Sequence, residues 1–110
     1  GWMEGMALTE AVYYILLSLV QPLHGYGIMQ RAETLSGGRV KLAAGTLYGA
    51  LSTLQERGWI EALPEPRSSR KKEYRLTPAG REAAERELER LRELVRNGEA
   101  ILEGGGTDEG

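Results

Sequence analysis

The stretch AAGTLYGALSTLQERGWIEAL, residues 43–63, constrains the fold more than any other part of the chain. Leu47, Leu51 and Leu54 recur at helical spacing on one face of a predicted helix. Gly58 ends that pattern, and an apolar run typical of a β-strand follows without a linker. The fold must therefore join a short helix to a strand through a tight glycine turn.

Periodicity and capping residues divide the rest of the chain into short elements. Thr9 and Thr77 are predicted N-caps, and Pro78 suits the first position of a helix. The predicted helices cover about residues 10–21, 26–36, 44–57 and 78–103, and the predicted strands cover 59–63 and 71–76. The fold class is therefore mainly α with a small β-hairpin, in the order α-α-α-β-β-α.

Three short helices followed by a hairpin form the winged helix-turn-helix arrangement, in which the third helix enters the DNA major groove beside the hairpin. We expect this domain at residues 8–77. Small or hydroxyl-bearing residues lie opposite the leucines of the third helix: Gly45, Thr46, Gly49, Ser52 and Thr53. Such a face lets DNA approach closely, and its hydroxyls can bind phosphates or base edges. Tyr48 flanks this face, where it either reaches a phosphate or fills the edge of the core.

The charge of the chain is unevenly distributed. Residues 39–81 carry nine basic and four acidic residues, a net charge of +5, although the whole chain has a net charge of −2. Four of the basic residues cluster at the tip of the predicted hairpin: Arg67, Arg70, Lys71 and Lys72. Side chains at this tip can neutralise phosphates, although charged tips also keep hairpins from pairing edge to edge. Together with the small-faced helix, the cluster predicts a DNA-binding surface.

Three segments, HGYGIMQRAE, AAGTLYGALSTLQERGWIE and RKKEYRLTPAGRE, resemble the PadR family of bacterial and archaeal transcriptional regulators. The resemblance covers residues 8–82 and rests on three motifs that occur in order: His-Gly-Tyr, Gly-Thr-Leu-Tyr and Tyr-x-Leu-Thr-x-x-Gly. It implies a dimeric, DNA-binding and usually repressing protein of the cytoplasm whose C-terminal helix pairs the subunits. It also implies that Tyr26, Thr46 and Tyr48 lie at the DNA together with the basic wing residues.

The residues predicted to contact DNA come from the second helix, the third helix with its entry, and the wing: Tyr26, Lys41, Gly45, Thr46, Tyr48, Gly49, Ser52, Arg67, Arg70, Lys71 and Lys72. Two positions depart from the family. Ala43 offers no capping oxygen where relatives often have a serine, and Gly49 stands where they often have an arginine or a proline. These departures and the acidic total charge favour the alternative, a winged helix that binds proteins and not DNA.

The last predicted helix carries an apolar seam that indicates a homodimer. Over residues 78–103 it would be about 39 Å long, whereas a domain of this size has a radius of gyration near 13 Å. A second copy would cover the overhanging seam in a two-fold contact and place two recognition helices on an inverted repeat. The alternative is a long helix folded over its own domain. The residues predicted at the interface are Tyr13, Ala84, Leu88, Leu91, Leu94, Val95, Ile101 and Leu102.

The residue types of the chain give little support to an enzyme, a metal protein or a membrane protein. The chain has no cysteine and its lone histidine is His24, so we expect no enzyme, no metal site and no cofactor. The longest apolar run, residues 11–20, is too short to span a bilayer, and no membrane partner is expected. A small apolar or aromatic effector would fit a dimer groove lined by Trp2, Met6, Tyr13 or the seam leucines. Residues 104–110 are expected to form a disordered tail.

Overall fold

The computed structural model describes residues 7–64 and 71–104, and within them the chain forms four helices and three strands. The helices are α1 (Glu10–Ser18), α2 (Gly25–Leu35), α3 (Ala44–Glu56) and α4 (Pro78–Leu102). The strands are β1 (Leu23–His24), β2 (Ile60–Ala62) and β3 (Glu73–Leu76). The predicted class, mainly helical with a small hairpin, is confirmed. The predicted order lacked β1, which precedes α2.

Side chains at the N-termini define where three of the helices begin. Thr9 and Thr77 accept hydrogen bonds from first-turn amides of α1 and α4. His24 Nδ1 accepts a hydrogen bond from the Gly27 N–H at 3.0 Å, so the lone histidine is the N-cap of α2. By contrast, α3 begins after Ala43 without any side-chain cap.

The predicted glycine turn after α3 connects three elements. Gly58 has a φ of 78°, and the Trp59 N–H donates to the Leu54 carbonyl at 3.0 Å, which closes the helix end. The Thr77 hydroxyl donates to the Gly58 carbonyl at 2.6 Å, and the Thr77 N–H donates to the Trp59 carbonyl at 3.0 Å. A Cβ at Gly80 would lie 2.0 Å from that same Trp59 carbonyl oxygen. The end of α3, the start of the wing and the start of α4 are therefore held as one unit.

The three strands form an antiparallel sheet in the order β1-β3-β2. In β2, Ile60 pairs with Leu76, and Ala62 pairs with Tyr74. On the other side of β3, Tyr74 pairs with Leu23 of β1. Because β1 leads directly into α2, the sheet fixes the position of the α2 N-terminus beside the wing.

The core lies between the helices and the inner face of the sheet. Its buried side chains are Ile15, Leu16, Leu19, Ile28, Leu47, Leu51, Leu54, Ile60, Tyr74 and Ala84. Ala84 was predicted to lie at a dimer interface, but it is only 8% exposed because it packs into the core of its own domain. The exposed apolar stripe of α4 therefore begins further along the helix, at Leu88.

Candidate nucleic-acid interface

One face of α3 is packed inward and the opposite face is open to solvent. The exposed residues of that face are Gly45, Thr46, Gly49, Ser52 and Thr53. A Cβ at Gly45 or Gly49 would meet no atom within 4 Å, so the space above both glycines is empty. Within the described residues, the hydroxyls of Thr46 and Ser52 have no hydrogen-bond partner, whereas Thr53 donates to the Gly49 carbonyl at 3.3 Å. The face offers small side chains and available hydroxyls to a large ligand.

The N-terminus of α3 adds further donors at the same place. No side chain caps this end, so first-turn N–H groups of α3 point outward without an intrahelical acceptor. Such groups, at the positive end of the helix dipole, bind anions such as phosphate. Ala43, a departure from the family pattern, therefore leaves open amides that a serine would have capped.

Tyr48 links α3 to α2 and to the wing. A Cβ added at Gly25 would lie 2.2 Å from the Tyr48 hydroxyl oxygen, so the ring packs directly over the first residue of α2. Burial raises the pKa of Tyr74, and the nearby Tyr48 phenol raises it further. Tyr48 is nevertheless half-exposed, and Tyr26 on the first turn of α2 is largely exposed. The ring of Tyr48 therefore fills the gap beside α2 while its edge faces solvent, and its contact with a phosphate stays a prediction.

The wing contributes positive charge beyond β2 and β3. Lys71 and Lys72 are exposed next to the start of β3. The two other predicted wing contacts, Arg67 and Arg70, lie outside the described residues. On the strands themselves, Arg75 Nε donates to Glu61 Oε2 at 2.7 Å, so that cross-strand pair adds no net charge. Within the described residues, the exposed positive charge of the wing outside this pair therefore lies at Lys71 and Lys72.

Lys41, predicted to contact DNA from the entry to α3, forms an ion pair on the protein surface. Its ammonium lies 3.1 Å from a carboxylate oxygen of Glu33, and both side chains are well exposed. Arg39 forms a similar exposed pair with Glu10. Surface pairs of this kind contribute little to stability and exchange easily for other partners. Lys41 remains accessible to a phosphate.

The distal half of α4 presents an apolar stripe that no described residue covers. Its exposed members are Leu88, Leu94, Val95, Ile101 and Leu102, and Leu102 is 84% exposed. Leu88, Leu91 and Val95 line a shallow cleft of about 370 Å³. Tyr13 is half-buried beside α4. Its pKa is raised mainly by burial and to a lesser extent by the nearby charge of Glu87. Of the other effector contacts predicted, Trp2 and Met6 lie outside the described residues.

Residues 7–64 and 71–104 offer no metal site and no membrane span. No group of three histidine, cysteine, aspartate or glutamate side chains there could hold a metal ion. No helix in this part of the chain is long and apolar enough to cross a bilayer.

These features define a winged helix-turn-helix protein whose third helix is open to a ligand. Residues 14–86 match the model of the PadR-like family of transcriptional regulators, and the chain belongs to that family. The predicted resemblance is thereby confirmed. The match also confirms the prediction that the chain belongs to a family of transcriptional regulators.

The chain is similar to an uncharacterized 37.1 kDa protein in transposon TN4556 of Streptomyces fradiae, with 40% identity over 90 residues, or 81% of this chain. It spans only 25% of the length of that relative. A PadR family transcriptional regulator from Eggerthella lenta has 26% identity and a TM-score of 0.63, with 83% of this chain and 79% of that chain covered. BpsR of Bordetella bronchiseptica shares the fold, with 20% identity, a TM-score of 0.65, and 86% and 67% of the two chains covered.

The sequence did not predict two contacts, one at this interface and one between α4 and the segment before α1. The first is the contact between Gly25 and Tyr48, for which the only signal was a glycine at the entrance of a helix. The second is the carboxylate of Glu87, which is buried although the other acidic residues of α4 are exposed. Its signal was its spacing from Gly80 and Ala84 along the buried stripe of α4.

Proposed function

We propose that this chain is a homodimeric regulator that binds double-stranded DNA at an inverted-repeat operator and represses transcription. The observation that carries the proposal is the exposed face of α3, from Gly45 to Ser52, which is free of bulky side chains and lies beside a basic wing. Family membership supports the same function.

The geometry of α3 suits close contact with a DNA groove. The two open glycines, Gly45 and Gly49, let the helix backbone approach base edges more closely than a face of long side chains would. Thr46 and Ser52 then supply hydroxyls for phosphates or bases, and the Thr46 methyl group suits thymine. Tyr26 is largely exposed and presents its hydroxyl to the flanking DNA backbone, whereas the Tyr48 hydroxyl lies against Gly25 and only the exposed edge of the Tyr48 ring is available to the DNA. Much of the sequence discrimination is expected to come from DNA shape, because this face carries no arginine or asparagine.

The exposed stripe of α4 supports a dimer. Contiguous leucine, valine and isoleucine side chains that remain exposed on a helix usually mark a contact with another protein surface. A second copy carries the same stripe, so two copies can cover each other's apolar side chains without another partner. The two-fold contact also presents two recognition helices to the DNA. Two recognition helices related in this way bind an inverted repeat, with half-sites separated by about 34–36 Å along the DNA. A dimer bound over a promoter represses by excluding other proteins from it.

Control by a small apolar or aromatic effector would act through the groove between the two copies. The cleft is lined by the apolar side chains of Leu88, Leu91 and Val95 together with Arg92 and Arg96, and a second copy would partly enclose it. For the distantly similar BpsR, 6-hydroxynicotinic acid is described as regulating DNA binding. An effector of the present chain would act by binding one arrangement of the two wings more tightly than another. A regulator of this kind works in the cytoplasm, where its DNA is.

The salt dependence of DNA binding tests the proposal directly. We predict that the chain binds a fluorescently labelled duplex of random sequence with an affinity that falls steeply as salt rises. Substituting Lys72→Ala is expected to reduce the slope of log K against log[salt] by about 0.9, the value for one released phosphate contact. The matched control is Arg86→Ala, which removes the same charge from the exposed surface of α4 outside the cleft of Leu88, Leu91 and Val95 and should leave the slope unchanged.

The results of this titration distinguish DNA binding through the wing from the alternatives. No binding even at low salt would overturn the proposal and favour the alternative of a protein-interaction module. An equal loss of slope in both variants would mean that total charge, and not the wing, governs binding. Selection of random duplexes by the purified dimer then tests the operator, since recovery of an inverted repeat is expected.

A further inference from the structure

Glu87 is the only charged side chain that is buried among residues 7–64 and 71–104, with 4% of its surface exposed. It lies on the third turn of α4, on the same stripe as Gly80, Ala83 and Ala84. Placing a carboxylate in such a position is costly unless hydrogen bonds satisfy it, and an apolar residue of similar size would often serve as well. The burial of Glu87 therefore calls for a specific explanation.

Two groups from different parts of the chain satisfy this carboxylate. Arg90 donates from Nε to Oε1 at 3.0 Å and from Nη2 to Oε2 at 2.5 Å. The backbone N–H of Leu8 donates to Oε1 at 3.3 Å, from 79 residues away in the sequence. The Arg90 hydrogen bonds hold the pKa of Glu87 below its usual range against the opposing effect of burial, and the Leu8 amide adds to them. The carboxylate is thus charged at neutral pH.

Leu8 connects this contact to the recognition helix. Its side chain packs against the domain core and lines a cleft of about 270 Å³ with Ala50, Thr53 and Leu54 of α3. The same residue therefore contacts α4 through its amide and faces α3 through its side chain. A rotation of α4 relative to the domain would pull on the segment that lies against the recognition helix.

We propose that Glu87 is a positioning residue that fixes the angle between α4 and the winged-helix domain, and thereby the distance between the two recognition helices. This inference rests on the proposed homodimer, because only a second copy converts the angle into a distance. Arg90, on the same helix, holds the carboxylate in one orientation, and the hydrogen bond from the Leu8 N–H then defines one register between α4 and residues 7–9, whereas an apolar contact would allow them to slide. This directional requirement explains why a carboxylate, and not an apolar side chain, occupies the position.

Small changes in this angle have a large effect on DNA recognition. In a dimer that reads successive turns of DNA, each recognition helix lies about 17 Å from the two-fold axis. A tilt of about 10° over that distance displaces the helix by about 3 Å, close to the roughly 3.4 Å that separates successive base pairs. Loss of the Glu87 contact is therefore expected to change which spacing between half-sites the dimer accepts.

The distance between the two recognition helices can be measured without DNA. The chain has no cysteine, so Gln55→Cys on the exposed surface of α3 gives one spin-label site per subunit. We would compare pulsed electron paramagnetic resonance distances in this background alone and with Glu87→Gln or Arg90→Gln. Glu87→Gln keeps the size of the side chain and leaves the partly exposed Arg90 able to reach solvent, so this variant should fold even if Arg90→Gln, which leaves a buried carboxylate without its partner, is poorly tolerated. The control is Glu85→Gln, which breaks the exposed Arg81–Glu85 pair on the same helix.

The expected result is one narrow distance in the parent and in Glu85→Gln, and a shifted or broadened distribution in Glu87→Gln and Arg90→Gln. In a series of inverted repeats whose spacing differs by single base pairs, the same two variants should lose the preference for one spacing. Unchanged distances in both variants, with only lower stability, would overturn the proposal. Absence of any intersubunit distance in the parent would instead show that the dimer, and with it the proposed function, is at fault.

Discussion

Solvent barely reaches Glu87, yet its carboxylate stays charged. The free energy of unfolding therefore depends on pH through this side chain. Folding lowers the pKa of Glu87 below the ordinary value of about 4.5, chiefly through Arg90. The unfolded chain therefore takes up a proton at this carboxylate more readily than the folded chain does. The stabilisation is complete well above pH 4.5 and is lost as the pH falls below it.

We predict that Glu87→Gln lowers the free energy of unfolding by about 1–3 kcal/mol at pH 7, because a charged hydrogen-bond acceptor is lost in a buried place. The difference from the wild type should shrink as the pH falls below about 4.5 and towards the lowered pKa of the folded carboxylate, where the wild-type side chain also takes up its proton. Urea unfolding at a fixed protein concentration, followed by circular dichroism, measures both quantities. Glu85→Gln on the exposed side of α4 is the matched control. A difference that persists undiminished at these acidic pH values would show that charge is not what stabilises this contact.

Residues whose role is local could be predicted, and residues whose role depends on distant contacts could not. Thr9, Thr77 and Gly58 act on neighbouring amides and carbonyls, so their identity and position in the sequence already indicated a cap or a turn. Gly25 carries no such indication, because the Tyr48 ring that covers it comes from another helix. Glu87 has the spacing of the buried stripe but the charge of its exposed neighbours, so the sequence alone did not show that packing of α1 against α4 buries it.

Among the elements, α4 has two halves with opposite packing. Its first turns carry Gly80, Ala83 and Ala84 against the domain, where small residues allow close contact. Further along, a methyl group at Gly98 would meet no atom within 4 Å, and this glycine lies in the half with the exposed stripe. Two glycines of one helix therefore stand in contrasting environments.

We predict opposite effects for alanine at these two glycines. Gly80→Ala would place a Cβ 2.0 Å from the Trp59 carbonyl oxygen, and relieving that clash with backbone should cost about 2 kcal/mol or more. Gly98→Ala should stabilise the chain by about 0.5–1 kcal/mol, because alanine restricts the unfolded chain and favours a helix. Thermal unfolding at several protein concentrations measures both. A concentration-dependent loss of stability in Gly98→Ala would contradict the second prediction and indicate close packing of two copies at Gly98.

The four helices and both wing strands were predictable because each carries enough residues for a period, a cap or a turn signal. The wing pattern, for example, placed a strand at 71–76, and the structure has Glu73–Leu76. The strand β1 has only Leu23 and His24, too few for any periodicity, and it exists because β3 pairs with it. Such a strand forms only through tertiary contacts, so a local sequence pattern cannot predict it.

For the molecule as a whole, the main unsatisfied feature is the apolar stripe on the distal half of α4. Leu94, Val95 and Ile101 are exposed side by side on a helix whose remaining surface is charged. A monomer would hold these side chains in water, at a cost that burial against a second copy would remove.

Two valines with nearly equal exposure allow a matched test of this dimer. Val95 on α4 is 56% exposed, and Val20 after α1 is 53% exposed. We predict that Val95→Glu raises the dimer dissociation constant by more than about 100-fold, because each copy would bury an unpaired charge at a cost of several kcal/mol. Val20→Glu adds the same charge away from the stripe and should leave the dimer intact. Sedimentation velocity over a range of protein concentrations measures both constants.

The same pair of variants separates the contribution of dimerisation to DNA binding from that of the wing. A Val95→Glu monomer keeps one recognition helix and one wing, so it should retain weak, salt-dependent binding to any duplex. It should lose most of the additional affinity for an inverted repeat, since the second half-site is no longer bound from within the same molecule. Full affinity for the repeat in the monomer would mean that one domain reads the operator alone. Dissociation by Val20→Glu would instead move the subunit contact from α4 to the region around α1.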